Sequence, residues 1–232
     1  MKNDEYILGL VHICLMRYSD GILRGENMNY VKLPKTKRGE ATLKKICDAA
    51  EELFSQNGFY ETEINDITVK AQVATGTFYT YFPDKSSVFL YLLDTLGRKL
   101  RHALRQAKLE RPCDSLIEQE RISIRVFFSF VREHFGLFRI VWQSQFVDAE
   151  SFKNYYERFS AGYVREIKKA QERGEIRDFD PALISYVLMG VHSFVTLKCF
   201  VFDETEPDEA TIDQLVEFFA HGMLKGPKIE RV

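Results

Sequence analysis

Residues 75–85 read Thr75-Gly76-Thr77-Phe78-Tyr79-Thr80-Tyr81-Phe82-Pro83-Asp84-Lys85, and this stretch decides how the chain folds. Pro83 stops a helix, and Asp84 is a good N-cap for the next one. The pattern predicts a short helix over about 75–82, followed directly by a longer one. Phe78 and Phe82 share one side of the short helix and are expected to dock it on a core. Thr75, Thr77, Tyr79, Thr80 and Tyr81 offer hydroxyls on the other. Hydroxyls bond phosphate oxygens, and threonine methyls can touch a thymine methyl. Gly76 leaves the start of the helix bare, so it can approach a nucleic-acid backbone closely. Lys85 falls in the first turn of the next helix, where a cation opposes the helix dipole. A phosphate held beside the free N–H groups there would explain it.

Working outward, Leu43, Ile46, Ala50, Leu53 and Phe54 recur at helical spacing, and Gly58 ends that helix. Ile64, Ile67 and Ala71 mark a second, short helix. Three helices in quick succession suggest a helix-turn-helix inside a three-helix head. Residues 34–39 precede the head and read as a flexible basic arm. Between Met28 and Lys45 six basic residues face one acidic residue, a local charge of +5.

Downstream, the helix opened by Asp84 carries Phe89, Leu93, Leu96, Leu100 and Leu104 as its stripe and ends near Pro112. Further helical stripes run through Ile124, Phe128 and Val131, through residues 138–146, and through Phe152, Tyr156, Phe159 and Tyr163 to a stop at Gly174. Asp180 and Pro181 form an N-cap with proline at the first helical position. They open a long apolar helix to Phe202, and a last helix covers about 209–224. There is no sustained strand alternation and no internal repeat, so the fold class is all-α.

The whole chain of 232 residues has a net charge of −2, so no global basic field advertises nucleic acid. Its four cysteines are widely spaced, which argues against a zinc site or a disulfide framework and for a reducing, cytoplasmic compartment. Residues 182–202 are long enough to span a bilayer, but Tyr186, His192, Ser193 and Lys198 interrupt them, and a buried interface helix is the expected reading. Residues 1–27 precede the head and are expected to be dispensable, with Met28 as an alternative start.

Residues 45–90 resemble the DNA-binding head of TetR-family transcriptional regulators. The matching positions include Ile46, Ala49, Ala50, Gly58, Phe59, Thr62, Ile64, Ile67 and Ala71, and then the core Gly76-Thr77-Phe78-Tyr79, Tyr81, Phe82 and Lys85. The resemblance implies operator binding by a dimer, with Lys37, Arg38, Thr62, Thr75, Gly76, Thr77, Tyr79, Thr80, Tyr81 and Lys85 as the DNA-contacting set. It implies that Lys37 and Arg38 track the minor groove or the backbone. Three positions depart from the family pattern. Gln72 stands where glycine is usual and must avoid or tolerate a positive φ. Ala74 replaces the usual serine N-cap, and Glu63 places a carboxylate at the start of the second helix.

The remaining residues match that family in architecture only: a larger helical body that binds a ligand and dimerises through the last two helices. Bulky residues exceed what a thin helical layer needs. Phe127, Val131, His134, Trp142, Phe146, Tyr156, Phe159, Tyr163 and Met189 are therefore expected to line a cavity for a hydrophobic small-molecule effector, with Tyr163 or His134 as polar anchors. The expected organisation is an extension and basic arm over 1–39, the head over 40–88 and the body over 89–232. No cofactor or metal is expected, because His134 and His192 lack a close set of companion ligands. An enzyme is the competing class, but the chain has no phosphate loop, GxGxxG, HExxH or nucleophile elbow. A helical protein-interaction module without specific DNA binding is the other alternative.

Overall fold

The computed structural model describes residues 30–224, so the expectation for residues 1–27 lies outside the described residues. The described helices are α1 (Lys37–Asn57), α2 (Ile64–Ala71), α3 (Thr75–Tyr81), α4 (Lys85–Glu110), α5 (Leu116–Glu133), α6 (Phe135–Val147), α7 (Ala149–Glu172), α8 (Pro181–Thr196) and α9 (Glu209–Met223). A π-helical turn, Leu197–Phe202, continues α8. Among the described residues there is no strand, only an isolated bridge between Ile176 and Leu224. The fold is all-α.

The chain forms two compact units. Among the described residues, one contains those up to Lys99 together with His134–Tyr155; the other contains Leu100–Glu133 and those from Tyr156 to Leu224. In the first unit, Thr36 caps α1 by accepting the Gly39 N–H at 3.1 Å. Helix α1 thus begins at Lys37, and Lys37 and Arg38 form its first turn. The segment before it is not a free arm: the Lys32 N–H donates to the Tyr81 carbonyl at 2.8 Å, and Val31 is buried. This corrects the reading of 34–39 as a flexible arm. Gly58, at φ +87°, ends α1.

Gln72 adopts the left-handed conformation that its position demands, with φ 56° and ψ 46°. The strain, roughly 1–2 kcal/mol relative to glycine, is offset in part by the N–H groups of Gln72 and Val73, which donate to the carbonyls of Val69 and Thr68. Ala74 supplies no side-chain cap to α3. Asp66 closes the start of α2 by accepting the Glu63 N–H at 2.9 Å. Phe54, Phe78, Phe82 and Phe89 are fully buried and hold α1, α3 and α4 together, each contributing about 1.5–3 kcal/mol. Asp84 caps α4 as its sequence predicts, accepting from the Ser87 N–H and hydroxyl at 2.7 Å.

The second unit is built on Ile124 and Phe128 of α5, Ile167 of α7, Leu188 of α8, and Val216 and Phe219 of α9. Glu175 reaches back to cap α5, accepting from the Leu116 N–H and the Ser115 hydroxyl. Ser160 and Ser185 share a buried hydrogen bond of 2.7 Å between α7 and α8. Arg121 and Arg125 pair with Asp213 and Glu209 and tie α5 to α9. Pro181–Phe202 is long and apolar enough to cross a membrane; within it Ser185, His192 and Thr196 are buried against neighbouring residues.

Candidate nucleic-acid interface

The outward side of α3 carries Thr75, Gly76, Tyr79 and Thr80, all exposed, while Thr77 is half-buried. Nothing lies within 4 Å of the position a side chain would take at Gly76, so the start of α3 is open on that side. The exposed Thr80 donates its hydroxyl to the Gly76 carbonyl at 3.2 Å, which leaves the oxygen able to accept. Tyr79 is half exposed, its ring edge against Phe78.

Two hydrogen bonds bring the cationic residues alongside. The Tyr81 hydroxyl donates to the Gly39 carbonyl at 3.2 Å, and the Lys32 N–H meets the end of α3. Lys32, Lys35, Lys37 and Arg38, all exposed, therefore flank the hydroxyl face. Lys44 and Lys70 are instead paired with Asp48 and Glu52.

Three expected DNA contacts are corrected by their surroundings. Thr62 is fully buried, and its hydroxyl donates to the Gly58 carbonyl at 2.8 Å. Tyr81 is buried and committed to Gly39. The Lys85 ammonium donates to the carbonyls of Phe59 (2.8 Å), Thr62 (2.7 Å) and Tyr60 (3.4 Å), above the Phe59 ring. A lysine at this helix start thus has a structural reason in the loop between α1 and α2, whose carbonyls it gathers.

Sequence reading missed the partner of this corner, which is α6. Gln143 donates to the Phe54 carbonyl and accepts the Phe59 N–H, and Arg139 donates to the Ser55 carbonyl at 3.0 Å. The Tyr60 hydroxyl donates in turn to the Phe146 carbonyl at 2.8 Å. Gly136 permits this approach, since a side chain there would start 3.2 Å from Ser55.

The expected effector residues divide between the two units. His134, Trp142 and Phe146 belong to the first; Phe127, Val131, Tyr156, Phe159, Tyr163 and Met189 belong to the second. Phe146 is 72% exposed at the end of α6 and is corrected out of an interior lining. His134 stands at the N-cap of α6, where burial, with the Lys99 charge adding to it, lowers its imidazole to about 4. In the second unit Phe127 stacks on His192, and the Tyr163 hydroxyl lies 3.4 Å from His192 Nδ1. Burial, and then the Glu120 carboxyl, pushes the Tyr163 phenol well above its ordinary range, so it stays neutral. Val131 and Met189 are buried, and Phe159 packs under the Arg101 guanidinium.

A three-helix head that turns a hydroxyl-rich helix outward beside a cluster of cations, followed by an all-helical body, defines a helix-turn-helix regulator of transcription. Residues 46–92 match the family described as bacterial regulatory proteins, tetR family; the chain carries the TetR-family DNA-binding domain and has that family's fold. It is similar to the regulator EthR of Mycolicibacterium smegmatis, 26% identical over 68% of this chain and 74% of that protein. It is 25% identical to an uncharacterized HTH-type transcriptional regulator of Haemophilus influenzae, over 55% of this chain and 62% of that one. Its fold is similar to that of the fatty acid degradation regulator FadR of Bacillus halodurans, with a TM-score of 0.67 and 19% identity over 84% of this chain and 99% of that chain.

Proposed function

We propose that this TetR-family regulator is a ligand-responsive repressor that binds a palindromic operator as a homodimer and is released by a mainly hydrophobic small molecule held in the body. The observation that carries the DNA reading is the face of α3 formed by Thr75, Gly76, Tyr79 and Thr80, with exposed Lys35, Lys37 and Arg38 beside it. Backbone contacts from the cations and Tyr79 would position the head, and Thr75, Thr77 and Thr80 would read base edges. In a twofold dimer the two α3 helices enter successive major grooves about one helical turn apart.

The dimer reading rests on one face of α8. Leu183, Tyr186, Val187 and Phe194 recur at helical spacing and are exposed in the isolated chain, as is Phe218 of α9. An apolar stripe of this extent on one subunit is the mark of a surface that another subunit covers. An effector would act by binding more tightly to the body conformation whose heads are misplaced for the operator. We place the DNA-binding domain at 40–88, and the protein in the cytoplasm with its DNA.

Fluorescence anisotropy with DNA from upstream of the protein's own gene tests the reading. Tight binding that is lost in Thr75→Ala/Tyr79→Ala/Thr80→Ala, with the melting temperature unchanged, is expected. Equal affinity of that variant for every DNA tested would overturn it.

A further inference from the structure

Glu120 of α5 and His192 of α8 form a close carboxyl–imidazole pair inside the second unit, each about 5% exposed, with Oε1 and Nε2 2.9 Å apart. The contact is short, but its direction is poor for a hydrogen bond, and neither atom has another partner. Thr196 lies one turn beyond His192 on the same side of α8. Its hydroxyl is fully buried and likewise without a partner. Three polar atoms without a well-directed hydrogen bond on two facing helices are costly: about 1–3 kcal/mol for a group left wholly unsatisfied, as the Thr196 hydroxyl is, and less for Glu120 and His192, whose close contact offsets part of it. Around them the surface is apolar and aromatic: Phe127 stacks on the imidazole, and Phe219 meets its edge.

We propose that Glu120, His192 and Thr196 form the polar end of the effector site and recognise a neutral donor–acceptor group, a hydroxyl or primary amide, on an otherwise apolar molecule. The inference rests on the reading that the body binds an effector, and it names that effector's polar chemistry. The argument is one of charge and of matching. A lone buried charge is expensive, and the carboxyl and imidazole offset that cost only in each other. A ligand carboxylate would add an uncompensated negative charge beside Glu120, and an ammonium would add a positive one beside His192. A hydroxyl adds neither. It donates to Glu120 Oε1 and accepts from the His192 N–H at once, satisfying two orphans with one group. The Tyr163 hydroxyl, close to His192 Nδ1, fixes the other side of the ring. Phe127 offers the alkyl or ring portion of the ligand an apolar wall.

The test is calorimetric titration of the full chain, without DNA, using 1-decanol, decanoate and decylamine. Decanol is expected to bind at least about tenfold more tightly than either charged chain, the loss that one unpaired buried group brings. Glu120→Gln should abolish that discrimination. Thr196→Val, which keeps the volume and so guards against a variant that merely fails to fold, should weaken decanol at least about threefold, a fraction of the same loss. Decanoate binding as tightly as decanol, no binding by any of the three, or decanol affinity unchanged in both variants would each overturn the proposal. Operator release is measured separately. Decanol that binds through Glu120 and leaves the operator occupied overturns the effector reading and keeps this site. Decanoate that releases DNA equally from wild type and Glu120→Gln does the reverse.

Discussion

The side-chain amide of Gln143 and the main-chain carbonyl of Phe54, 89 residues apart in sequence, are joined at 2.9 Å, and the same amide accepts the Phe59 N–H at 3.0 Å. One side chain therefore holds both sides of the corner at Gly58, where α1 ends at positive φ. Gln143→Ala should lower unfolding stability by about 1–3 kcal/mol, because it strands two partly buried main-chain groups. Gln143→Glu, which keeps the acceptor and loses the donor, should cost less. Urea denaturation followed by far-ultraviolet dichroism ranks the two, and equal stability of both with wild type would refute the bridging role.

Lys85 and the pair Lys37 and Arg38 should separate cleanly. Lys85→Met is expected to lower the melting temperature, because the carbonyls of Phe59, Tyr60 and Thr62 lose their shared donor. It should leave the salt dependence of DNA affinity unaltered. Lys37→Ala and Arg38→Ala should leave the melting temperature alone and each reduce the logarithmic salt slope by about one. Anisotropy titrations across a range of salt concentrations read both; a smaller slope in Lys85→Met would restore it as a phosphate contact.

Tyr79 and Tyr81 are two residues apart and should behave oppositely. Tyr79→Phe is expected to weaken DNA binding with little change in stability, since its hydroxyl lies on the exposed face. Tyr81→Phe loses the bond to Gly39 and should cost roughly 1 kcal/mol of stability. Because that bond seats the start of α1 beside α3, some DNA affinity should be lost with it.

Phe218 and Phe219 provide a similar contrast. Phe218 is 64% exposed in the isolated chain, while Phe219 is 2% exposed and packs in the core of its own subunit. Val195 also packs against that core, so neither Val195 nor Phe219 tests the interface. Phe194→Glu and Phe218→Glu should yield folded monomers by light scattering, whereas Phe219→Glu should unfold the second unit. A dimer that survives both exposed-face variants would remove α8 and α9 from the interface.

Acid should destabilise the protein through His134. Its imidazole titrates near 4 in the folded chain because burial, helped by Lys99, disfavours the cation. The unfolded chain takes up that proton at an ordinary histidine value. Stability is therefore full above about pH 6.5, falls as pH drops, and levels off below about 4. The loss reaches about 2 kcal/mol by pH 5. His134→Gln should flatten this part of the stability curve in denaturation series at pH 7, 6 and 5; an identical slope in the variant would assign the effect elsewhere.

The head was legible because its determinants are local. The spacing of Phe78 and Phe82, the stop at Pro83 and the cap at Asp84 are written within one short stretch, and even the strain at Gln72 follows from the turn it must make. The partners of Lys85 and Gln143 were not legible. Both bind main-chain groups, which carry no residue-type signal, and in both cases the contact closes a long loop. Thr62 and Tyr81 were misjudged for a related reason. A hydroxyl on an apparent outer face can turn inward when a nearby carbonyl is free to accept it. The Glu120–His192 pair escaped notice because α5 and α8 are distant in sequence, and a single glutamate in an amphipathic helix reads as solvent-facing. The π-helical end of α8 has no composition of its own, and the same residues would serve an ordinary α-helix.

Gln143, Arg139 and Lys85 hydrogen-bond the corner after α1 through carbonyl and amide groups of the main chain, with the Phe59 ring beneath the Lys85 ammonium as the side-chain contact. The side chains at the gripped positions do not enter these bonds. A fastening of that kind is blind to substitution on the reading surface, so α2 and α3 can diversify toward new operators while the mounting stays the same. Grafted heads from related regulators should therefore seat on this α6 without redesign, provided the loop between their first two helices keeps its length and its glycine.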